Sequence, residues 1–397
     1  MLNRRKILSA LLSLVNYPAA AETLRPMNSS GEPAVSNTTP NVPQIRHERT
    51  IDMSSLGSRL WVVEVTYSPD GRFLGLIMAD TAKTEIVVWD IETDRLQARI
   101  APLGNFGLGP HTHLRWNPDG TSIAVGNAGP PDYPMQIWDP MTGAIVKELS
   151  VDRQCSRISF NRDGSKCLVM TTLFRKPDDL LGFRIYDTNS WAFDDFDAEG
   201  LTIGAVTWAL GDLVLMAGTW TSRSAGWGWS KELSATGIEP KLLDTVARLI
   251  DPSGALPPKT VVLSPSAPAT IASGHPVKTF NIGDPVSNMK GDRISLDVGS
   301  IFDVKTMQNW VYSKGDEILT GIIPSETQAF SPDGRYLYLK GAAKQGSGRG
   351  GSNAVLDTET GEIVTRFVGG DAGLAVRPDG RQIAIGGGYA SVELLSV

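Results

Sequence analysis

Val65-Thr66-Tyr67-Ser68-Pro69-Asp70-Gly71 reads as a short alternating strand that runs into a tight turn. The same phrase returns as Leu114-Arg115-Trp116-Asn117-Pro118-Asp119-Gly120, Ile158-Ser159-Phe160-Asn161-Arg162-Asp163-Gly164, Ala329-Phe330-Ser331-Pro332-Asp333-Gly334 and Ala375-Val376-Arg377-Pro378-Asp379-Gly380. Proline presets φ at the first central position of a type I turn, aspartate suits the second, and glycine accepts the positive φ that follows. Each phrase is therefore the first half of a hairpin, and repetition of this kind decides the fold before any local reading does.

A third strand closes on a bulky residue and aspartate in Val88-Trp89-Asp90, Ile137-Trp138-Asp139, Ile185-Tyr186-Asp187, Ile301-Phe302-Asp303 and Val355-Leu356-Asp357. A polar turn such as Thr358-Glu359-Thr360-Gly361 leads to a fourth strand such as Glu362 to Phe367. Four antiparallel strands every ~43 residues make a propeller blade. On these motifs the chain resembles the WD-repeat and WD-like β-propellers, including Tol-type periplasmic proteins, over about residues 45 to 397. The Gly-His dipeptide of full WD repeats is absent except as Gly109-Pro110-His111. The expectation is an all-β fold, a single β-propeller of four-stranded blades. Blade starts near 60, 112, 155, 203, 245, 286, 327 and 372 give eight blades, and merging the fifth and sixth gives seven. The last repeat stops after Ser391 to Leu395, so Ile45 to Met53 is expected to supply its missing strand and join the two chain ends.

Composition agrees. In 397 residues, 41% hydrophobic content is too high for a disordered chain, and 41 Gly with 25 Pro are too many for a helical bundle. With 37 Lys and Arg against 43 Asp and Glu, the chain lacks the basic surface that sequence-independent nucleic-acid binding needs, so no nucleic-acid partner is expected. Met1 to Lys6 is basic, Ile7 to Val15 is mostly apolar, and Ala19-Ala20-Ala21 has the small-residue pattern of a cleavage site. Residues 1–21 read as a signal peptide of an exported protein, periplasmic or secreted, cleaved after Ala21. Asn3-Arg4-Arg5-Lys6-Ile7-Leu8 is similar to a twin-arginine signal, although an ordinary signal peptide also starts with cations. The apolar run spans only ~14 Å as a helix, which excludes a stable membrane span. Residues 22–44, rich in Pro, Ser, Thr and Asn, read as a disordered tether.

The first-to-second connections are short, whereas the second-to-third connections are long, as at Asp80 to Glu85, Asn127 to Met135, Thr172 to Gly182, Thr219 to Trp229 and Gly341 to Ser352. In a propeller these all emerge on one face, which is where a binding site is expected. Tyr133, Arg175, Arg223, Trp227, Trp229 and Arg349 lie in them, and Trp227 and Trp229 have the spacing of a stacking platform for a sugar or aromatic ligand. Tyr389 completes this set as a contact for a protein or small-molecule ligand. His111 and His113 share one side of an extended segment, which suits either a metal or a hydrogen bond within their own blade. Asp195, Asp197 and Glu199 alternate as at the start of a calcium loop, but Val206 stands where the bidentate glutamate belongs; a solvated acidic loop is the default reading.

No nucleophile elbow, zinc-protease or Walker pattern occurs, and no cofactor is expected. The leading expectation is an exported binding or scaffold module acting through its long-loop face. The alternative implied by the resemblance is a periplasmic propeller enzyme or subunit, similar to an amine dehydrogenase large subunit or a lactonase. With Asn161 to Gly164 taken as a four-residue turn, Phe160 pairs with Ser165 and Ile158 with Cys167. Cys155 then opposes Met170 on the other sheet face, so two reduced, buried thiols are expected.

Overall fold

The computed structural model describes residues 42–397 apart from 58–59, 81–83, 101–111, 128–134, 150–153, 173–181, 198–201, 220–244, 264–285, 298–299, 312–327, 341–351, 371 and 388–389. After β1 (Arg46–Asp52), blade 1 comprises β2 (Trp61–Tyr67), β3 (Phe73–Ala79), β4 (Thr84–Asp90) and β5 (Arg95–Ile100). Blade 2 comprises β6 (Thr112–Trp116), β7 (Ile123–Asn127), β8 (Met135–Trp138) and β9 (Ile145–Leu149), and blade 3 β10 (Gln154–Phe160), β11 (Lys166–Thr172), β12 (Gly182–Asp187) and β13 (Phe193–Asp197). Blade 4 holds β14 (Thr202–Trp208), β15 (Val214–Thr219), β16 (Thr245–Ile250) and β17 (Lys259–Leu263); blade 5 holds β18 (Val286–Ser287), β19 (Arg293–Asp297), β20 (Ser300–Asp303) and β21 (Gln308–Val311). Blade 6 holds β22 (Gln328–Phe330), β23 (Tyr336–Leu339), β24 (Ser352–Asp357) and β25 (Ile363–Val368), and blade 7 holds β26 (Leu374–Val376), β27 (Gln382–Gly386) and β28 (Ser391–Ser396).

The propeller has seven blades. The segment near 245 does not start one: β16 and β17 are the outer half of blade 4, separated from its inner half by the long connection at 220–244. First strands contact one another in the closed order β2, β6, β10, β14, β18, β22, β26 and back to β2, so they form the inner wall. Blade 7 obtains its fourth strand from β1, which pairs antiparallel with β28 from Arg46 opposite Ser396 to Asp52 opposite Ser391. That pairing joins the ends of the propeller, and Gln382 reinforces it by donating to Glu48 at 2.7 Å while accepting from the Tyr67 hydroxyl of blade 1 at 3.0 Å.

Every large apolar cluster lies between two consecutive blades. Leu114, Trp116 and Ile123 of blade 2 pack on Ile77, Ile86 and Val88 of blade 1, and Cys155, Ile158 and Val169 of blade 3 pack on Ala124, Met135 and Ile137 of blade 2. The same arrangement recurs between blades 3 and 4, 4 and 5, 5 and 6, 6 and 7, and 7 and 1. A blade therefore buries both faces, which is why β3, and β27 after Gln382, are apolar along their length instead of alternating.

The hairpin turns run one residue longer than the sequence suggests. At 68–72, 161–165, 331–335 and 377–381, five residues separate the strands, because the left-handed glycine (φ +74 to +76°) is followed by one more residue before pairing resumes. These turns stack on one another around the ring. A methyl group on Gly164 would collide with Asn117 and press on Pro118 of blade 2, one on Gly334 with Asn288 of blade 5, and one on Gly380 with Pro332 of blade 6. In blades 1 to 6 an aspartate at the end of the third strand organises the next turn. Asp90 accepts from the N–H groups of Glu92 and Thr93, Asp139 from those of Met141 and Thr142, and Asp357 from those of Glu359 and Thr360. Arg72 also pairs with Asp90 at 2.7 Å. These bonds, led by Arg72 at Asp90 and by the Met141 N–H at Asp139, hold both carboxyls below their ordinary range. Their stabilisation is complete above the ordinary carboxyl pKa and is lost as pH falls through the depressed folded value.

Both cysteines are buried and unpaired, but not for the expected reason. The ladder resumes two residues later than expected, with Phe160 opposite Cys167 and Ile158 opposite Val169, and a bulge between Cys155 and Arg157 puts Cys155 opposite Thr171. The two thiols therefore share a face. They stay apart because the Ile158–Val169 pair lies between them and four residues of β11, ~13 Å, separate their rungs, beyond disulfide reach.

Two outcomes follow. Gly254 has φ +72° with nothing within 4 Å of an added methyl, whereas Gly164 has φ +75° and abuts blade 2. Gly254→Ala should cost about 1 kcal/mol for the left-handed backbone alone, and Gly164→Ala at least about 1 kcal/mol more by denaturant titration; equal losses would mean that the turn contact carries no energy. Burial pushes the Cys155 thiol up to about 12 and Cys167 well above its ordinary value. A thiol reagent at about pH 8 should modify neither cysteine in the native protein and both after unfolding; modification of native protein would contradict the packing of blades 2 and 3.

Candidate functional site

Antiparallel alternation places the first-to-second turns on one face of the ring and the second-to-third connections on the other. On the second face, connections join β7 to β8 across 128–134, β11 to β12 across 173–181, β15 to β16 across 220–244 and β23 to β24 across 340–351. Links between blades reach the same face. Three second-to-third connections are short, at 80–83 in blade 1, where the sequence led us to expect a long one, at 298–299 in blade 5 and at 387–390 in blade 7.

The described strand ends beneath these connections carry buried charge. Glu64 on β2 is 5% exposed; its carboxylate accepts from Arg115 Nη1 of blade 2 and from the Leu114 N–H at 3.3 Å. Arg115 also donates to its neighbour's carbonyl, Leu114 O, at 2.7 Å. One carboxylate and one guanidinium thus tie the inner wall of blade 1 to that of blade 2. Farther out, Arg99 grips Glu85 at 2.6 Å, and Arg184 Nε donates to Asp195 at 2.6 Å with its guanidinium 4.4 Å above the Phe193 ring. Three first strands, β2, β10 and β14, have a bulge at this end, where Val63, Ser156 and Gly204 are the extra residues. An extra residue re-aims the side chains beyond it, and such irregularities gather where a sheet presents a site.

Of the residues singled out from sequence, the structure describes three. His113 lies in β6 opposite Gly126 and is 2% exposed, so it belongs to the blade interior. Asp195 and Asp197 belong to β13, opposite Arg184 and Gly182, so the stretch is an edge strand rather than the expected acidic loop, and Asp195 is engaged by Arg184. His111, Tyr133, Arg175, Glu199, Arg223, Trp227, Trp229, Arg349 and Tyr389 lie outside the described residues. Glu64, Arg115, Glu85 and Arg184 were not anticipated. Their signal was a single charge inside an otherwise apolar strand, as in Trp61-Val62-Val63-Glu64-Val65, because a charge is retained there only when a partner meets it.

Among the described residues, no group of three or more His, Cys, Asp or Glu side chains is placed to hold a metal ion, and no helix is long and apolar enough to cross a membrane. No protein family and no curated protein matches the chain by sequence. Among solved structures, the β-propeller domain of Cps50 (Swd1) from Myceliophteria thermophila matches with a TM-score of 0.58 over 89% of this chain and 100% of that one, at 12% identity. At that identity the likeness is one of fold, and together with the seven four-stranded sheets and the Pro-Asp-Gly turns it gives this chain the fold of a WD-like β-propeller.

Proposed function

We propose that the chain is an exported WD-like β-propeller that binds a protein or small-molecule ligand through its long-loop face and serves as a scaffold. A β-propeller is a fold suited to protein binding and scaffolding. The observation that carries the choice of face is the contrast between the two. On one, five-residue turns stack glycine on neighbouring turn and have no room to vary. On the other, the strands are joined by connections as long as 220–244, and a closed ring beneath them tolerates their length and sequence. Trp227, Trp229 and Arg223, together with Tyr133, Arg175, Arg349 and Tyr389, are the side chains this reading assigns to contact. Export is supported by the basic, apolar and small-residue order of Met1 to Ala21.

Two measurements decide the reading. A benzophenone side chain placed at Trp227 or Tyr133 should give a discrete crosslinked adduct in the native compartment, and placed at Pro69 or Pro332 should give none. Adducts from the turn positions alone would reverse the assignment of faces. Expressed in a bacterium, the full chain should be recovered outside the cytoplasm with Glu22 as its first residue. Cytoplasmic retention with Met1 intact would remove the export claim, and Arg4→Lys with Arg5→Lys distinguishes the two export routes.

A further inference from the structure

The turn face is uniform in five blades and different in two. Its first-to-second turns place Pro69, Pro118, Arg162, Pro332 and Pro378 at the first central position and Asp70, Asp119, Asp163, Asp333 and Asp379 at the second. Each of those aspartates accepts the backbone N–H two residues on. Blades 4 and 5 put Leu210-Gly211 and Met289-Lys290 at the same two positions. Leu210 is 38% exposed and Met289 62%, and Leu256, in the third-to-fourth turn of blade 4, is 57% exposed. Among the described residues, the turns of the other five blades together expose one large apolar side chain, Met141. The three of blades 4 and 5 lie close to one another. A methyl group on Gly291 would stand 2.8 Å from the carbonyl carbon of Ala209 and from the nitrogen of Leu210, so the turn that bears Met289 rests on the turn that bears Leu210. The turn between β16 and β17, which bears Leu256, lies two strand spacings, ~10 Å, outward from the turn between β14 and β15. Folding does not account for these side chains, because none of them is covered by a neighbouring blade.

The charges select the occupant. Lys290 and Lys259 are exposed and have no ion-pair partner among the described residues. The carboxylates of the same arc already hold donors: Asp292 is bound by Lys305 at 2.8 Å, Asp251 by the N–H groups of Ser253 and Leu256, Asp303 by that of Thr306, and Asp212 by the Asn161 amide. Around the rest of the face an aspartate stands at the second central position of every first-to-second turn and repels an acidic chain; here Gly211 and Lys290 replace it. Two apolar anchors on touching turns and a third ~10 Å away match positions i, i+4 and i+7 on one side of a helix, which are ~6 and ~10.5 Å apart along its axis. We infer that the arc of the turn face formed by blades 4 and 5 docks an acidic amphipathic helix of a partner protein. Its apolar stripe lies on Leu210, Met289 and Leu256, and its carboxylates meet Lys290 and Lys259. The contact is small and therefore weak. It lies on the face opposite the long connections, so the ring can hold two partners at once.

Fluorescence anisotropy with the full chain tests this. The probe is a labelled synthetic peptide of about 16 residues, some four helical turns, with leucine at i, i+4, i+7 and i+11 and glutamate and alanine elsewhere. The expected result is a dissociation constant of about 10 to about 100 µM that rises with salt. Leu210→Ser combined with Met289→Ser should weaken binding at least about tenfold, and Lys290→Asp at least about fivefold. Lys290→Asp installs the residue that five sister turns already carry, so its thermal midpoint should not fall, and its loss of binding then reports a contact and not a folding defect. The same peptide with lysine in place of glutamate should not bind. No binding at about 1 mM, equal binding of the lysine peptide, or indifference to either variant would each overturn the assignment. So would capture of the chain by phosphatidylglycerol vesicles through Leu210, Met289 and Lys290 without binding of the peptide, which would make the arc a membrane contact, or a dimer in sedimentation velocity that Leu210→Ser with Met289→Ser dissolves.

Discussion

The structure depends on one constraint: a blade with two apolar faces has no water-compatible surface until another blade covers each of them. Leu74 and Leu76 of β3 face the cluster shared with blade 7, while Phe73 and Ile77 of the same strand face the one shared with blade 2. No blade holds a core of its own. The ring must therefore close, because an open array would leave two apolar faces and two sheet edges in water. Closure falls to β1, and this accounts for the placement of polar groups around it. Glu48, Gln382 and Tyr67 link the closing strand, the last blade and the first, and burial raises the Tyr67 hydroxyl far above its ordinary range, so it remains a neutral donor.

The turn face follows from the same constraint. Blades radiating from a common wall come closest at their inner strands, and a turn there must be thin enough for its neighbour to pass. Glycine serves twice, since it accepts the left-handed backbone and presents no methyl to the preceding turn. Where the Pro-Asp pair is lost, the contact persists in another form. Blade 4 turns through Leu210-Gly211-Asp212, and Asn161 of blade 3 donates to Asp212 at 3.2 Å. The contact around the ring is conserved in geometry even where the sequence phrase that announces it is gone.

This explains which parts of the molecule the sequence made legible. The Pro-Asp-Gly turns and the Trp-Asp strand ends are local chemistry, so they appear as motifs, and the count of seven and the closing strand could be read from them, but the units that merge are those starting near 203 and 245, not those near 245 and 286. Blade 4 was misread because its halves are separated by residues 220–244, and β16 with its own Asp251 turn imitates the start of a new repeat. The cysteine register failed for a subtler reason. The ladder resumes two residues later than a four-residue turn allows, and one bulge at Ser156 moves Cys155 to the other face, and neither changes the composition that pattern reading relies on. Glu64 and Arg115 were missed because their bond crosses two blades, so each looked like an isolated charge in its own strand.

The two faces of the ring are thus under unequal demands, and the inequality links fold to function. Each turn is packed by its neighbour, so a change there is felt at a blade interface. Each long connection is attached at strand ends that are already fixed by pairing and, at Glu64–Arg115 and Arg184–Asp195, by charge bound within or between blades. The recognition proposed for their Trp, Tyr and Arg residues would thus rest on a support in which blade is packed against blade.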